Sequence, residues 1–197
     1  MTFTPRFQAA ECAMYLKCSH IGYHYPGTTQ PVFEDLDFSM EEPGFHALFG
    51  PSGVGKTSLA GIITGAITDH AGIIDSEAMD RRLYTYNMER LPGWSSVGSH
   101  IDKVTPASLG ALKENLIREF GIKECMNSRF SQLSLGQKNR VNLIRYLLQD
   151  FDLLIMDETL ANVDERTREH ILLTIKELFQ GRYFLYISHN VVEVSRF

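Results

Sequence analysis

An α/β fold with a parallel sheet at its centre is the class that this 197-residue sequence predicts, on three observations. Strand-like and helix-like segments alternate along most of the chain, the pattern of a layered α/β domain. Two of the strand-like runs, "FDLLIM" and "RYFLYIS", are almost continuously apolar, as strands buried on both faces are. A third, "FHALF", leads directly into a glycine-rich loop and an apolar helix-like stretch, "SLAGIITGAI".

Taken in order, residues 11–20 and 32–40 read as strands. In "VFEDLDFSM", Leu36, Phe38 and Met40 alternate with Asp35, Asp37 and Ser39, the period of a half-buried antiparallel strand. "YPGTTQP" between the two is a turn. Residues 45–49 form the buried strand before the loop, and a helix is expected from Lys56 to Gly65. "GIIDS" and "RLYTY" are short strands. From Leu91 to Pro106 the Pro, Gly and Ser content predicts loop. A helix is then expected from Thr105 as N-cap, with Pro106 at its first position. Its apolar face is Leu109, Leu112, Leu116 and Phe120, and Gly121 stops it. A second helix is predicted from Gly136 to Gln149, and "DERTREHILLTIKELFQ" reads as an amphipathic third.

Bulk properties narrow the partners. Hydrophobic content of 44% and charged content of 22% are those of an ordinary soluble globular protein. The net charge is −5 and no basic block occurs, so nucleic acid is not an expected partner. No charged-then-apolar leader opens the chain and no run approaches a membrane span, so any membrane role is expected to be peripheral. Cys12, Cys18 and Cys125 are few and widely spaced, which predicts buried thiols in a reducing cytoplasm.

The loop itself is Gly50-Pro51-Ser52-Gly53-Val54-Gly55-Lys56-Thr57-Ser58, which matches the phosphate-binding pattern G-x-x-x-x-G-K-[ST]. Glycines let consecutive N–H groups converge on one concavity suited to anionic oxygens. The helix that follows adds the positive end of its dipole. Lys56 is expected on the β- and γ-phosphates of ATP, and the Thr57 hydroxyl on Mg²⁺. Asp157 and Glu158 end a buried strand, where ligands sit in parallel sheets, so Asp157 is expected to orient the metal and Glu158 to act on the attacking water.

Before the second helix stands "LSLGQ": Leu133, Ser134, Leu135, Gly136 and Gln137. With the phosphate loop, "LLIMDE", "ANVD" (Ala161 to Asp164) and "ISH" ending at His189, the order resembles that of the ATP-binding cassette (ABC) ATPases. The resemblance covers nearly the whole chain. It implies a P-loop NTPase (RecA-like) core with an antiparallel β subdomain and an inserted α-helical signature subdomain. The expected limits are 1–87 with 151–197 for the core and 88–150 for the helical part. It also implies a head-to-tail dimer, homodimer or cassette heterodimer, in which each signature closes the partner's ATP site. Glu158 would then be the general base, His189 would contact the γ-phosphate, Asp164 would belong to the D-loop, and Tyr25 would stack on adenine, with Tyr23 as the competing choice.

Several positions depart from the family pattern. The glutamine expected after "RLYTY" is missing, which leaves Asn87 as a candidate metal ligand; Leu135 replaces a small signature residue, and Thr159 stands where a proline is common. The chain stops eight residues beyond His189, the expectation for a minimal cassette. The interval from Lys56 to Ser134 is too short for the coiled coils of chromosome-maintenance relatives. The leading expectation is an ATP-hydrolysing subunit on the cytoplasmic face of the membrane, docked on integral membrane permease subunits. "RLPGWSSVGSHI" resembles the segment that lines the groove for a permease's coupling helix, with Trp94 either lining that groove or packing in the core. Two alternatives are a soluble assembly ATPase of the iron–sulfur cluster type and a nucleotide-gated binding module with little turnover.

Overall fold

Residues 14–91 and 93–189 are described by a computed structural model, and the chain divides into two units. The first runs to Tyr84, takes in Phe151–Asp157 and resumes at Gln180. Here β1 (Tyr15–His24) pairs antiparallel with β2 (Pro31–Met40) on one side and β4 (Ala71–Glu77) on the other. The alternation of "VFEDLDFSM" therefore belongs to an antiparallel strand, as its period predicts. The strand expected over 11–20 is β1, and residues 11–13 lie outside the described residues.

A second, four-stranded sheet has the order β3-β7-β6-β5. Its strands are β3 (Gly44–Phe49), β5 (Arg82–Tyr86), β6 (Leu153–Asp157) and β7 (Tyr183–Ser188). β7 lies between β3 and β6, parallel to both. Every residue of β6 and β7 is buried, which is why both segments are apolar without alternation. Helix α1 (Lys56–Ile63) buries Leu59, Ile62 and Ile63 in the core cluster that also holds Leu16, Ile155 and Ile187. Burial pushes the Cys18 thiol up to about 12; Cys18 and Cys125 are buried and free, and Cys12 is outside the described residues.

The second unit comprises Thr85–Asp150 and Glu158–Phe179. It holds α2 (Val97–Val104), α3 (Gly110–Glu119), α4 (Leu135–Leu147) and α5 (Glu165–Leu178). Both α2 and α3 pack on α4, and α3 also packs on α5. Helix α2 corrects the expected loop from Leu91 to Pro106. Eight residues starting V-G-S-H carry little intrinsic helix preference, and a segment that short does not hold alone in water. It forms because Ser96 caps it and Val97 and Ile101, four apart, are both buried. Thr105 consequently ends α2 instead of starting the next helix, its hydroxyl donating to the Ile101 carbonyl at 2.6 Å. Pro106 leads into a single 3-10 turn before α3. The predicted apolar face survives in Leu112, Leu116 and Phe120, all buried, and Gly121 ends it at φ +61.

Among the described residues no helix is long and apolar enough to cross a membrane.

Candidate functional site

In the first unit, β3 delivers the chain into the glycine loop and α1 receives it at Lys56. Gly53 and Gly55 take φ of +83 and +101, a region that side chains rarely enter. At Gly55 space forbids a side chain as well, because a Cβ would lie 2.4 Å from Val32 Cγ1 and 2.7 Å from Phe33 Cζ. The Lys56 ammonium is buried and donates to the carbonyls of Gly50 (2.8 Å) and Pro51 (2.9 Å). One cation thus draws the opening of the loop together. Ser52 and Val54 are exposed on it.

Thr57 and Asp157, 100 positions apart, meet at the end of β6. The Thr57 hydroxyl donates to Asp157 Oδ2 at 2.7 Å, and the Tyr84 hydroxyl donates to the same oxygen at 2.9 Å. Sequence reasoning missed Tyr84; its place in "RLYTY" sets its face of the strand but carries no sign of its partner. Ser58 shares a hydrogen bond of 2.9 Å with the Tyr25 hydroxyl. Of the two tyrosines weighed for stacking, Tyr23 is 8% exposed and sits in the core cluster, whereas Tyr25 is 49% exposed. Tyr23 meets Tyr25 edge-on, with ring centroids 5.4 Å apart. His189 is exposed immediately after β7.

A second ionic group braces this unit. Asp152, almost fully buried, accepts from Arg81 Nη2 at 2.7 Å, from the Arg81 backbone N–H at 2.9 Å and from Arg182 Nη1 at 3.0 Å. Burial by itself would raise the Asp152 carboxyl, but the Arg81 contacts outweigh it and hold the group below the usual carboxylate range.

In the second unit, Ser134 caps α4: its hydroxyl accepts from the Gln137 N–H, and Gln137 Oε1 accepts from the Ser134 N–H at 2.8 Å. Leu133 is buried and Leu135 is 39% exposed. Gly136 is required by close approach, since a Cβ there would lie 2.4 Å from the Asn162 carbonyl oxygen. Asp164 caps α5, accepting from the Thr167 N–H at 3.0 Å, a bond that pulls its carboxyl down. Glu158 takes φ +50 and starts a turn in which its carbonyl accepts from the Ala161 N–H at 3.0 Å.

Asn87, the candidate metal ligand, has its amide oxygen in use: it accepts from Asn139 Nδ2 at 3.0 Å and Asn162 Nδ2 at 2.9 Å. That oxygen is the atom a metal would need. A cavity of about 370 Å³ in this unit is lined by Met88, Glu89, Leu91, Phe130, Leu135 and Lys138, among others. Trp94 is outside its lining and 85% exposed, so the core-packing alternative for Trp94 is overturned.

Comparison with known proteins matches residues 33–161 to a family model described as "ABC transporter". The chain is 30% identical over 192 residues to a taurine import ATP-binding protein of Pseudomonas syringae pv. tomato, covering 90% of this chain and 74% of that one. It is 32% identical over 181 residues to an aliphatic sulfonates import ATP-binding protein of Rhodococcus jostii, covering 88% and 72%. A bacterial Atm1-family ABC exporter solved with ATP bound shares the fold, with a TM-score of 0.81 and 20% identity over 92% of this chain and 36% of that one.

Proposed function

The chain belongs to the ABC transporter family and is an ATPase; from that premise we propose that it is the ATP-hydrolysing subunit of an importer, held on the cytoplasmic face of the membrane by integral permease subunits. The observation that carries this reading is the Thr57–Asp157 pair, directly beside Lys56. Two hard oxygen atoms 2.7 Å apart, one residue from a buried ammonium on a glycine loop at the start of a helix, suit a magnesium nucleotide. Mg²⁺ bound there would supply charge neutralisation at the phosphates. Thr57 and Asp157 would hold it; the asparagine oxygen at position 87 is committed elsewhere.

The loop from Gly50 to Ser58 binds the phosphates through its N–H groups, and Lys56 releases its two carbonyls to face the β- and γ-oxygens. Tyr25 offers an exposed ring to adenine, and its hydroxyl is steadied by Ser58. Glu158 follows Asp157 in the chain and takes the proton of the attacking water. His189 helps to orient that water. Ser134, at the exposed start of α4, presents its hydroxyl and the helix N-terminus to the γ-phosphate on a second chain, either a copy of this one or a related cassette. The names of the curated relatives, import ATP-binding proteins, support import over export.

Glu158→Gln separates binding from turnover. Hydrolysis is expected to fall by roughly 10²–10⁴, the usual cost of losing a general base, while ATP binding persists. With turnover slowed, Mg-ATP is expected to convert the variant from monomer to dimer in light scattering. Adding Ser134→Arg, which sets a cation against the helix dipole, is expected to keep it monomeric with ATP still bound. Equal dimerisation of both variants would reduce "LSLGQ" to a helix cap.

A further inference from the structure

Asn87 stands, with Met88, where the family's glutamine is expected, and its surroundings show what its side chain does. Thr85, Asn87 and Glu89 alternate along the chain, and each meets polar side chains of α4. Helix α4 answers with Asn139, Asn142 and Tyr146, spaced three and four apart and so on one face. Asn142 Nδ2 reaches Thr85 Oγ1 (3.1 Å) and Glu89 Oε2 (2.8 Å), while the Tyr146 hydroxyl donates to Glu89 at 3.0 Å. Asn139 and Asn142 are 4% and 3% exposed, so their donors depend on these partners.

The same segment also holds the turn that begins at Glu158. The Thr159 hydroxyl donates to the Thr85 carbonyl at 3.3 Å, near the start of the turn. At its far end Asn162 Nδ2 donates to Asn87 Oδ1. Glu158, at φ +50, stands one residue before the first tether, and the Ala161 N–H that closes onto its carbonyl lies between the two. Asn87 Oδ1 is therefore one acceptor shared by the signature helix, through Asn139, and by the Glu158 turn, through Asn162.

We infer that Asn87 is a positioning residue that locks the Glu158 turn to the signature helix through its amide oxygen, in place of the metal contact of a glutamine. The inference rests on the ATPase reading with Glu158 as base. Both donors are NH₂ groups, so only an acceptor at the right reach is required. Aspartate keeps that acceptor; glutamine, one methylene longer, moves it.

The experiment compares Asn87→Ala, Asn87→Asp, Asn87→Gln and Asn162→Ala in steady-state hydrolysis, with titrations of Mg²⁺ and ATP and with hydrogen exchange at the Ala161 and Val163 amides, which donate to the Glu158 and Leu160 carbonyls. Losing one such bond corresponds to about a three- to tenfold effect. Asn87→Ala and Asn162→Ala are each expected to lower kcat by that factor, with KM for ATP and half-saturating Mg²⁺ unchanged. They are expected to speed exchange at both amides similarly, and the double variant should be little worse than either single one. Asn87→Asp should recover most of kcat and protection, and Asn87→Gln should not. A shift in half-saturating Mg²⁺ for Asn87→Ala would make Asn87 a metal ligand and overturn the inference. Wild-type kcat and exchange in Asn87→Ala, or in Asn87→Gln, would overturn it too. Normal hydrolysis by Glu158→Gln would instead sink the general-base reading, and the exchange measurement judges the tether whatever the turnover.

Discussion

Asp157 in the first unit and Asn87 in the second each offer one side-chain oxygen to two donors, but with opposite chemistry. Asp157 is a carboxylate between the hydroxyls of Thr57 and Tyr84; Asn87 is a neutral amide between two asparagines. The contrast extends outward. The first unit is held by ions: Lys56 on loop carbonyls, and Asp152 between Arg81 and Arg182. In the second, the ladder on α4 is made mainly of amides and hydroxyls, with Glu89 as its acid and Arg145, 3.8 Å from Glu89, at its edge. A site proposed to exchange a magnesium nucleotide needs charges that can change partners. A tether that must keep one geometry is better built from neutral groups, whose burial costs far less than that of an ion.

Asp152 makes the first unit acid-sensitive, and Asp152→Asn tests this with the largest expected effect. The folded carboxyl titrates below its ordinary value of 3.8, so the stability it contributes is present above that value and is lost as pH falls through the folded one. Breaking the cluster should cost about 2–4 kcal/mol near neutral pH in denaturant unfolding. The gap between wild type and variant should then close as the pH falls below 3.8. A gap that stays constant with pH would mean that Asp152 acts through packing and that the ionic description of this unit is wrong.

Lys56→Ala probes the charge that faces the ligand. ATP affinity should drop at least about tenfold, or 1.4 kcal/mol, in a Mg-ATP titration. Part of the loss would come from releasing the Gly50 and Pro51 carbonyls, so Lys56→Met separates loop packing from charge. Unchanged affinity in either variant would remove the phosphate-loop assignment.

Gly136→Ala tests the second unit by shape alone. The new methyl group would meet the Asn162 carbonyl, a backbone atom on the turn tethered to Asn87, and forcing it in should destabilise the protein by about 1 kcal/mol or more. Nucleotide affinity should stay the same while the Ala161 and Val163 amides exchange faster. Wild-type stability would show that α4 and the turn can part without cost.

Much of the site could be read directly from local sequence. The phosphate loop, the strand ending in Asp157 and Glu158, the Ser134 cap and the order of the motifs depend on residues close together in the chain. Backbone conformation and capping are short-range physics, so spacing alone reports them. The apolar runs of β6 and β7 were legible for the same reason, because burial on both faces leaves no polar position. What the tertiary structure decided are the long-range pairings. Helix α2 is too short to form without the burial of Val97 and Ile101, so its own residues look like loop. Trp94 could be placed in or out of the core only by packing. Tyr84 reaches Asp157 across 73 positions, and Asn87 reaches Asn139 and Asn162 across 52 and 75. An asparagine is an equally good donor, acceptor or ligand in a sequence. Which of these it becomes depends on the atoms that folding brings within hydrogen-bond reach.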